Sequence, residues 1–167
     1  MNEETTTATE KTHLLIVDDE ESIREFLTIL LEKEGYQVAT AESVASGKRQ
    51  VEEGSFDLVM CDLKLPDGTG LDVLAEARKQ QVESPFIIIT AHTTPQHALE
   101  ALRAGAAEYL SKPFNVEDLK LIVVNALIYK RGCEKAAVFF SNIFQINKKI
   151  RVRFFNTFSI IYYYRIF

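Results

Sequence analysis

The sequence predicts a doubly wound α/β domain, a five-stranded parallel sheet built as five βα repeats with helices on both faces. Three observations predict it. Strand-like apolar runs alternate with helix-period segments from His13 to Lys130, the order that parallel sheets require. The first, third and fourth runs are apolar almost throughout, which a strand needs only when helices cover both its faces. Polar residues gather where the runs end, at the edge where such folds place their ligands.

The first repeat is a strand over His13–Val17 and a helix with the apolar stripe Ile23, Phe26, Leu27, Leu30 and Leu31, stopped at Gly35. A second strand, Tyr36–Ala39, leads to a helix capped by Ser43 and ended near Gly54. The third strand covers Phe56–Cys61; the turn-rich Pro66–Gly70 then opens a helix carrying Leu71, Leu74 and Ala75. Pro85–Ile89 is the fourth strand, and its helix has a cap at Thr94, a first-turn proline at Pro95 and a stop at Gly105. The fifth strand spans Ala107–Leu110. Its helix starts at Asn115, with Glu117 and Asp118 against the macrodipole and a stripe of Val116, Leu119, Val123, Ala126 and Leu127.

Charge divides the chain. Lys+Arg 19 against Asp+Glu 24 give a net charge of −5. Residues 133–167 hold six Lys/Arg and one Glu, so the first 132 residues carry −10. That balance argues against nucleic-acid binding by the acidic part. The acidic, polar start, residues 1–11, reads as a disordered lead-in rather than a secretory signal. Cys61 and Cys133 form no metal-ligand spacing, so a reduced, cytoplasmic protein is expected. From residue 132 the pattern collapses: residues 137–167 hold ten of the 17 Phe/Tyr and no Gly, Pro or acidic residue. No apolar run there approaches the roughly 18 residues of a membrane span. This basic, aromatic-rich tail is expected to be the truncated or frame-shifted continuation of a longer protein.

The chemistry lies at the strand ends. Asp18 and Asp19 follow the first strand, Asp62 ends the third, Thr90 ends the fourth and Lys112 follows the fifth. Three carboxylates in one cleft raise one another's pKa unless a cation neutralises them, and oxygen ligands with room for water suit Mg²⁺. An ammonium and a hydroxyl beside them complete a site for a phosphoryl group, whose oxygens need positive charge and donors. Each residue alone has an ordinary explanation: a helix cap for Asp18–Glu20, a turn for Asp62, a loop for Lys112-Pro113, a strand-end hydroxyl for Thr90. Their joint placement on successive strand ends favours the chemical one.

The stretches Ile16-Val17-Asp18-Asp19-Glu20, Cys61-Asp62-Leu63-Lys64-Leu65-Pro66-Asp67-Gly68, Ile89-Thr90-Ala91 and Tyr109-Leu110-Ser111-Lys112-Pro113-Phe114 resemble the receiver domains of two-component response regulators, with their (βα)5 flavodoxin-like fold, over about residues 12–131. The Asp62 loop and the last helix look most like the nitrogen-regulator class, whose receivers usually precede an ATPase and a DNA-binding module; neither module is recognised after residue 131. The resemblance implies that Asp62 accepts the phosphoryl group of a sensor histidine kinase. Asp19, Asp62 and the Lys64 carbonyl would ligate Mg²⁺, with Asp18 acting mainly through water. Lys112 would contact the phosphoryl oxygens, before a Lys112-Pro113 bond that proline allows to be cis. Thr90 and Tyr109 would be the switch pair, and Ala91 the small residue beside the phosphoryl group.

On this reading the chain is a phospho-accepting switch, with self-catalysed transfer and slow autodephosphorylation. Its output surface, and a route to a homodimer, is the face of the fourth helix, fifth strand and fifth helix. A stand-alone receiver acting by protein contact is the alternative. A receiver-like scaffold without phosphorylation would lack site residues that are all present here. A flavin carrier is disfavoured because Asp18-Asp19-Glu20-Glu21 would repel its phosphate. An aspartyl-nucleophile phosphohydrolase would carry its nucleophile after the first strand and a second Asp two residues on, where this chain has Glu. Cys61 reads as a buried small residue rather than a redox thiol, and His92 as a loop histidine near the site.

Overall fold

The computed structural model describes residues 11–91 and 94–130. The lead-in up to residue 10, His92 and the tail with Cys133 lie outside them. The elements run β1 (His13–Val17), α1 (Glu21–Lys33), β2 (Gln37–Ala41), α2 (Val44–Glu53), β3 (Leu58–Asp62), a small hairpin of β4 (Lys64–Leu65) and β5 (Gly68–Thr69), α3 (Gly70–Lys79), β6 (Phe86–Thr90), α4 (Pro95–Arg103), β7 (Glu108–Ser111) and α5 (Val116–Lys130).

Five strands form one parallel sheet in the order β2-β1-β3-β6-β7, so the connection from β2 to β3 passes β1 and reverses the direction of winding, which puts the topological switch point between β1 and β3. Alternate residues of each central strand enter opposite layers. Leu15, Val17, Val59, Cys61, Phe86 and Ile88 pack with Val44 and Val51 of α2, Val73, Leu74 and Ala77 of α3 and Ala101 of α4. Leu14, Ile16, Leu58, Met60, Ile87 and Ile89 pack with Leu27 and Leu31 of α1 and Leu119, Val123, Ala126 and Leu127 of α5. Burying each of the Val, Leu, Ile, Phe and Met side chains contributes about 1.5–3 kcal/mol, and only a strand covered twice collects this on both faces.

The expected helix signals work as read. Ser43 accepts from Ser46 N in a reciprocal capping box. Thr94 accepts from His97 N before Pro95, and Asn115 Oδ1 accepts from Asp118 N at 2.7 Å. Gly35 (φ +92°) and Gly105 (φ +97°) close α1 and α4 in the left-handed region.

Two stripe assignments are corrected. Phe26 is 45% exposed, because α1 meets the sheet along the line of Leu27 and Leu31, and Phe26 lies one residue round the helix from it. Ala75 is exposed, since α3 buries Gly70, Val73, Leu74 and Ala77, a phase set by where Gly70 touches β3. Strands two to five each run one or two residues further than expected, through Ala41, Asp62, Thr90 and Ser111. The polar residues at their ends still make ladder contacts: Asp62 pairs with Ile89 and Thr90 with Ser111. The turn-rich Pro66–Gly70 segment closes the antiparallel hairpin Lys64↔Thr69, Leu65↔Gly68.

Candidate functional site

The parallel ladder brings the carboxyl ends of β1, β3, β6 and β7 to one edge. There Lys112, after β7, reaches back across the sheet. Its Nζ lies 2.7 Å from Asp18 Oδ2, 2.7 Å from Asp62 Oδ2 and 3.7 Å from Glu20 Oε1. Asp18 and Asp62 are buried, at 2% and 7% exposure, while Asp19 faces solvent. One oxygen from each of Asp18, Asp19 and Asp62 lies within 4.8 Å of the others.

Local backbone fixes each carboxylate. Glu20 N donates to Asp18 Oδ1 at 2.9 Å, and Lys64 N donates to Asp62 Oδ1 at 3.0 Å. Arg24, one turn into α1, donates to the carbonyls of Asp18 (2.7 Å) and Asp19 (2.9 Å) and so braces the β1–α1 turn. The Lys112-Pro113 peptide is cis, and Lys112 N donates to Thr90 O at 2.8 Å, which ties the lysine to the end of β6. Thr90 is fully buried. Tyr109 is half-buried on the adjacent strand, in register with Ile88.

Electrostatics follow burial. Desolvation raises the Asp18 carboxyl above its ordinary range, against the lowering pull of Lys112 and of the Glu20 amide. Burial also opposes the charge of Lys112, but hydrogen bonds to Asp18 and Asp62 outweigh it and raise its pKa. Burial, then the charge of Asp62, raises the Tyr109 phenol. The same two influences, with Asp18, push the Cys61 thiol far up, so it stays protonated and unreactive, as the expectation of a buried small residue requires.

The structure therefore assembles Asp18, Asp19, Asp62 and Lys112, and places Thr90, Tyr109 and the Lys64 backbone around them. Sequence reading missed Arg24, whose only signal was a basic residue six positions after Asp18. It also gave no role to Asp67, whose carboxylate accepts from Val44 N (2.7 Å) and Ala45 N (2.9 Å) at the start of α2.

The family model described as "Response regulator receiver domain" matches residues 14–124. This chain belongs to the response regulator receiver family. Receivers are the phosphorylation-controlled domains of two-component signal transduction, and they generally bind Mg²⁺ at an acidic cluster such as this one. The receiver is 42% identical over 114 residues to the alginate biosynthesis transcriptional regulatory protein AlgB of Pseudomonas putida, a match covering 68% of this chain and 25% of that protein. Response regulator SaeR of Staphylococcus aureus is 37% identical over 118 residues, 70% of this chain and 50% of that one. The chain thus spans a quarter to a half of these curated relatives. Among solved structures, a CheY-like receiver domain protein from Methanospirillum hungatei superposes with a TM-score of 0.70 at 32% identity, over 72% of this chain and 97% of that one. Among the described residues, no helix is long and apolar enough to cross a membrane.

Proposed function

We propose that this receiver accepts a phosphoryl group on Asp62 from the phosphohistidine of a sensor histidine kinase. The observation that carries the reading is Lys112 Nζ held 2.7 Å from both Asp18 and Asp62, a fixed ammonium beside a carboxylate at the topological switch point. In the transfer, the phosphorus–nitrogen bond of the donor breaks as a phosphorus–oxygen bond forms to an Asp62 carboxylate oxygen. Lys112 neutralises charge on the phosphoryl oxygens, and the Lys64 amide holds the other Asp62 oxygen in place. The donor set is all oxygen, carboxylates with one backbone carbonyl, which fits Mg²⁺: Asp19, Asp62 and the Lys64 carbonyl would hold it, with Asp18 through water. Bound there, the ion supplies further charge neutralisation.

Thr90 and Tyr109 form the switch pair of this reading. Phosphorylation draws the hydroxyl toward the new charge and Tyr109 inward, remodelling the face of α4, β7 and α5. That face is the output surface and a route to a homodimer. The nitrogen-regulator class is supported by the wording of the Asp62 loop, and residues 12–131 are the unit that carries the chemistry.

Incubation with Mg²⁺ and acetyl phosphate, read by intact mass, tests the assignment. One added phosphoryl group is expected on the native chain and none on Asp62→Asn. Equal labelling of the two would overturn it.

A further inference from the structure

We propose that Gly70 is a positioning residue for the Asp62 carboxylate: its bare Cα lets the first turn of α3 seat directly on the Asp62 peptide. The inference rests on the reading of Asp62 as the phosphoryl acceptor and names a residue that reading leaves without a role.

Gly70 is buried, and it does not adopt the left-handed conformation that commonly explains a glycine. What it supplies is space. A Cβ there would overlap the Asp62 carbonyl oxygen outright, and would lie 2.9 Å from Cys61 Sγ and 3.1 Å from the Asp62 carbonyl carbon. Gly70 N donates to Leu63 O at 2.9 Å, so glycine and acceptor strand meet through backbone alone. Cys61 Sγ leans on the same carbonyl, at 3.4 Å from Asp62 O.

The segment between the two residues is closed on itself. Asp62 Oδ1 is held by Lys64 N, the hairpin pairs Lys64 with Thr69 and Leu65 with Gly68, and Thr69 donates through N and Oγ1 to Asp72 Oδ2 at 2.8 and 2.7 Å. An added methyl must therefore displace either α3 or the Asp62 peptide. Helix α3 is pinned by Val73, Leu74 and Ala77, all at 0% exposure, and packed interiors resist such shifts. Asp62 is the last residue of β3, where the ladder ends, so its peptide is the part that yields, and the carboxylate moves with it out of its place beside Lys112. A misplacement of about 1 Å in a phosphoryl-transfer geometry costs on the order of 100-fold in rate.

The test compares Gly70→Ala with Gly54→Ala. At Gly54, near the opposite end of β3, a Cβ would lie 2.6 Å from the Phe56 ring and 2.8 Å from Gln50 O, a similar intrusion far from the carboxylates. Melting is followed by circular dichroism, and acetyl phosphate labelling with Mg²⁺ is timed at a temperature where each variant is folded. Both should melt below the native chain; Gly70→Ala should label at least tenfold more slowly and Gly54→Ala within about twofold of native. A folded Gly70→Ala that labels at the native rate overturns the proposal. Should that variant be too unstable, Cys61→Ala/Gly70→Ala gives the methyl the thiol's volume but keeps the clash with the carbonyl. It should fold and still label slowly, and native labelling there overturns the proposal equally. Failure of the Asp62 reading is distinguishable, since Asp62→Asn would then label like the native chain.

Discussion

Lys112 and Asp62, fifty residues apart in sequence, meet at 2.7 Å on the edge of the sheet. The same ammonium also pairs with Asp18, and the three side chains are 11%, 9% and 3% exposed. Removing the cation leaves two buried carboxylates facing each other, and breaking a buried pair costs about 3–5 kcal/mol. Lys112→Met should lose stability of that order without Mg²⁺ and recover a larger part of it with Mg²⁺ than the native chain gains. Urea unfolding with and without the ion measures both, and unchanged stability would show that Lys112 is not the balancing charge.

The acidic cluster makes a second prediction. Mg²⁺ that binds only the folded state raises stability by about 2.7 kcal/mol at 100 times its dissociation constant. Asp19→Asn should remove most of that gain while altering little in its absence, because Asp19 is exposed. A thermal response equal to the native one would count against Asp19 as a ligand.

Asp67 should make stability depend on pH. Hydrogen bonds from Ala45 N and then Val44 N lower its carboxyl below the usual range. A depressed folded value means that its contribution is complete above the unfolded pKa of about 3.9 and is lost as pH falls through the folded one. Asp67→Ala should therefore lower the urea midpoint near pH 7, with the difference from native shrinking at lower pH. A difference constant with pH would mean that the ionised cap is not the cause.

Arg78 predicts a stability loss remote from the site. Its guanidinium donates to Val82 O (2.6 Å), Ser84 O (3.2 Å) and Gly105 O (3.2 Å), and lies 5.4 Å from the centroid of the Phe86 ring. Arg78→Met strands these carbonyls and should cost about 1–3 kcal/mol, with acetyl phosphate labelling unchanged. A large change in labelling would tie this staple to the site.

The five strands, the helices on both faces of the sheet and the position of Asp18, Asp19, Asp62 and Lys112 at strand ends were legible because each has a local sign, an apolar run or a polar residue just past one. Asp62 and Lys112 could be placed at the same edge from strand polarity alone. Phe26 and Ala75 were misplaced because a helix's phase is set by what it packs against, and α3 takes its phase from Gly70 on Asp62. Arg24 and Asp67 act on backbone groups, and the Asp67 acceptor serves amides 22 and 23 residues away. No spacing rule in one sequence marks such a pair.

Strand β3 is tied at both poles. Beyond Asp62 at one end, Asp57 just before the other accepts from His13 N at 2.9 Å and pairs with Lys130 Nζ at 3.0 Å, at the last turn of α5. A deletion of one residue anywhere in Leu58–Asp62 would break one of these anchorages and would also exchange the residues facing the two layers of the core. The hairpin tip, Pro66–Asp67, carries exposed side chains, so a change in length there leaves both core layers in place and costs at most the Asp67 bonds to α2. Tolerance to insertion and deletion should thus switch from none to appreciable within five residues of the Asp62 carboxylate.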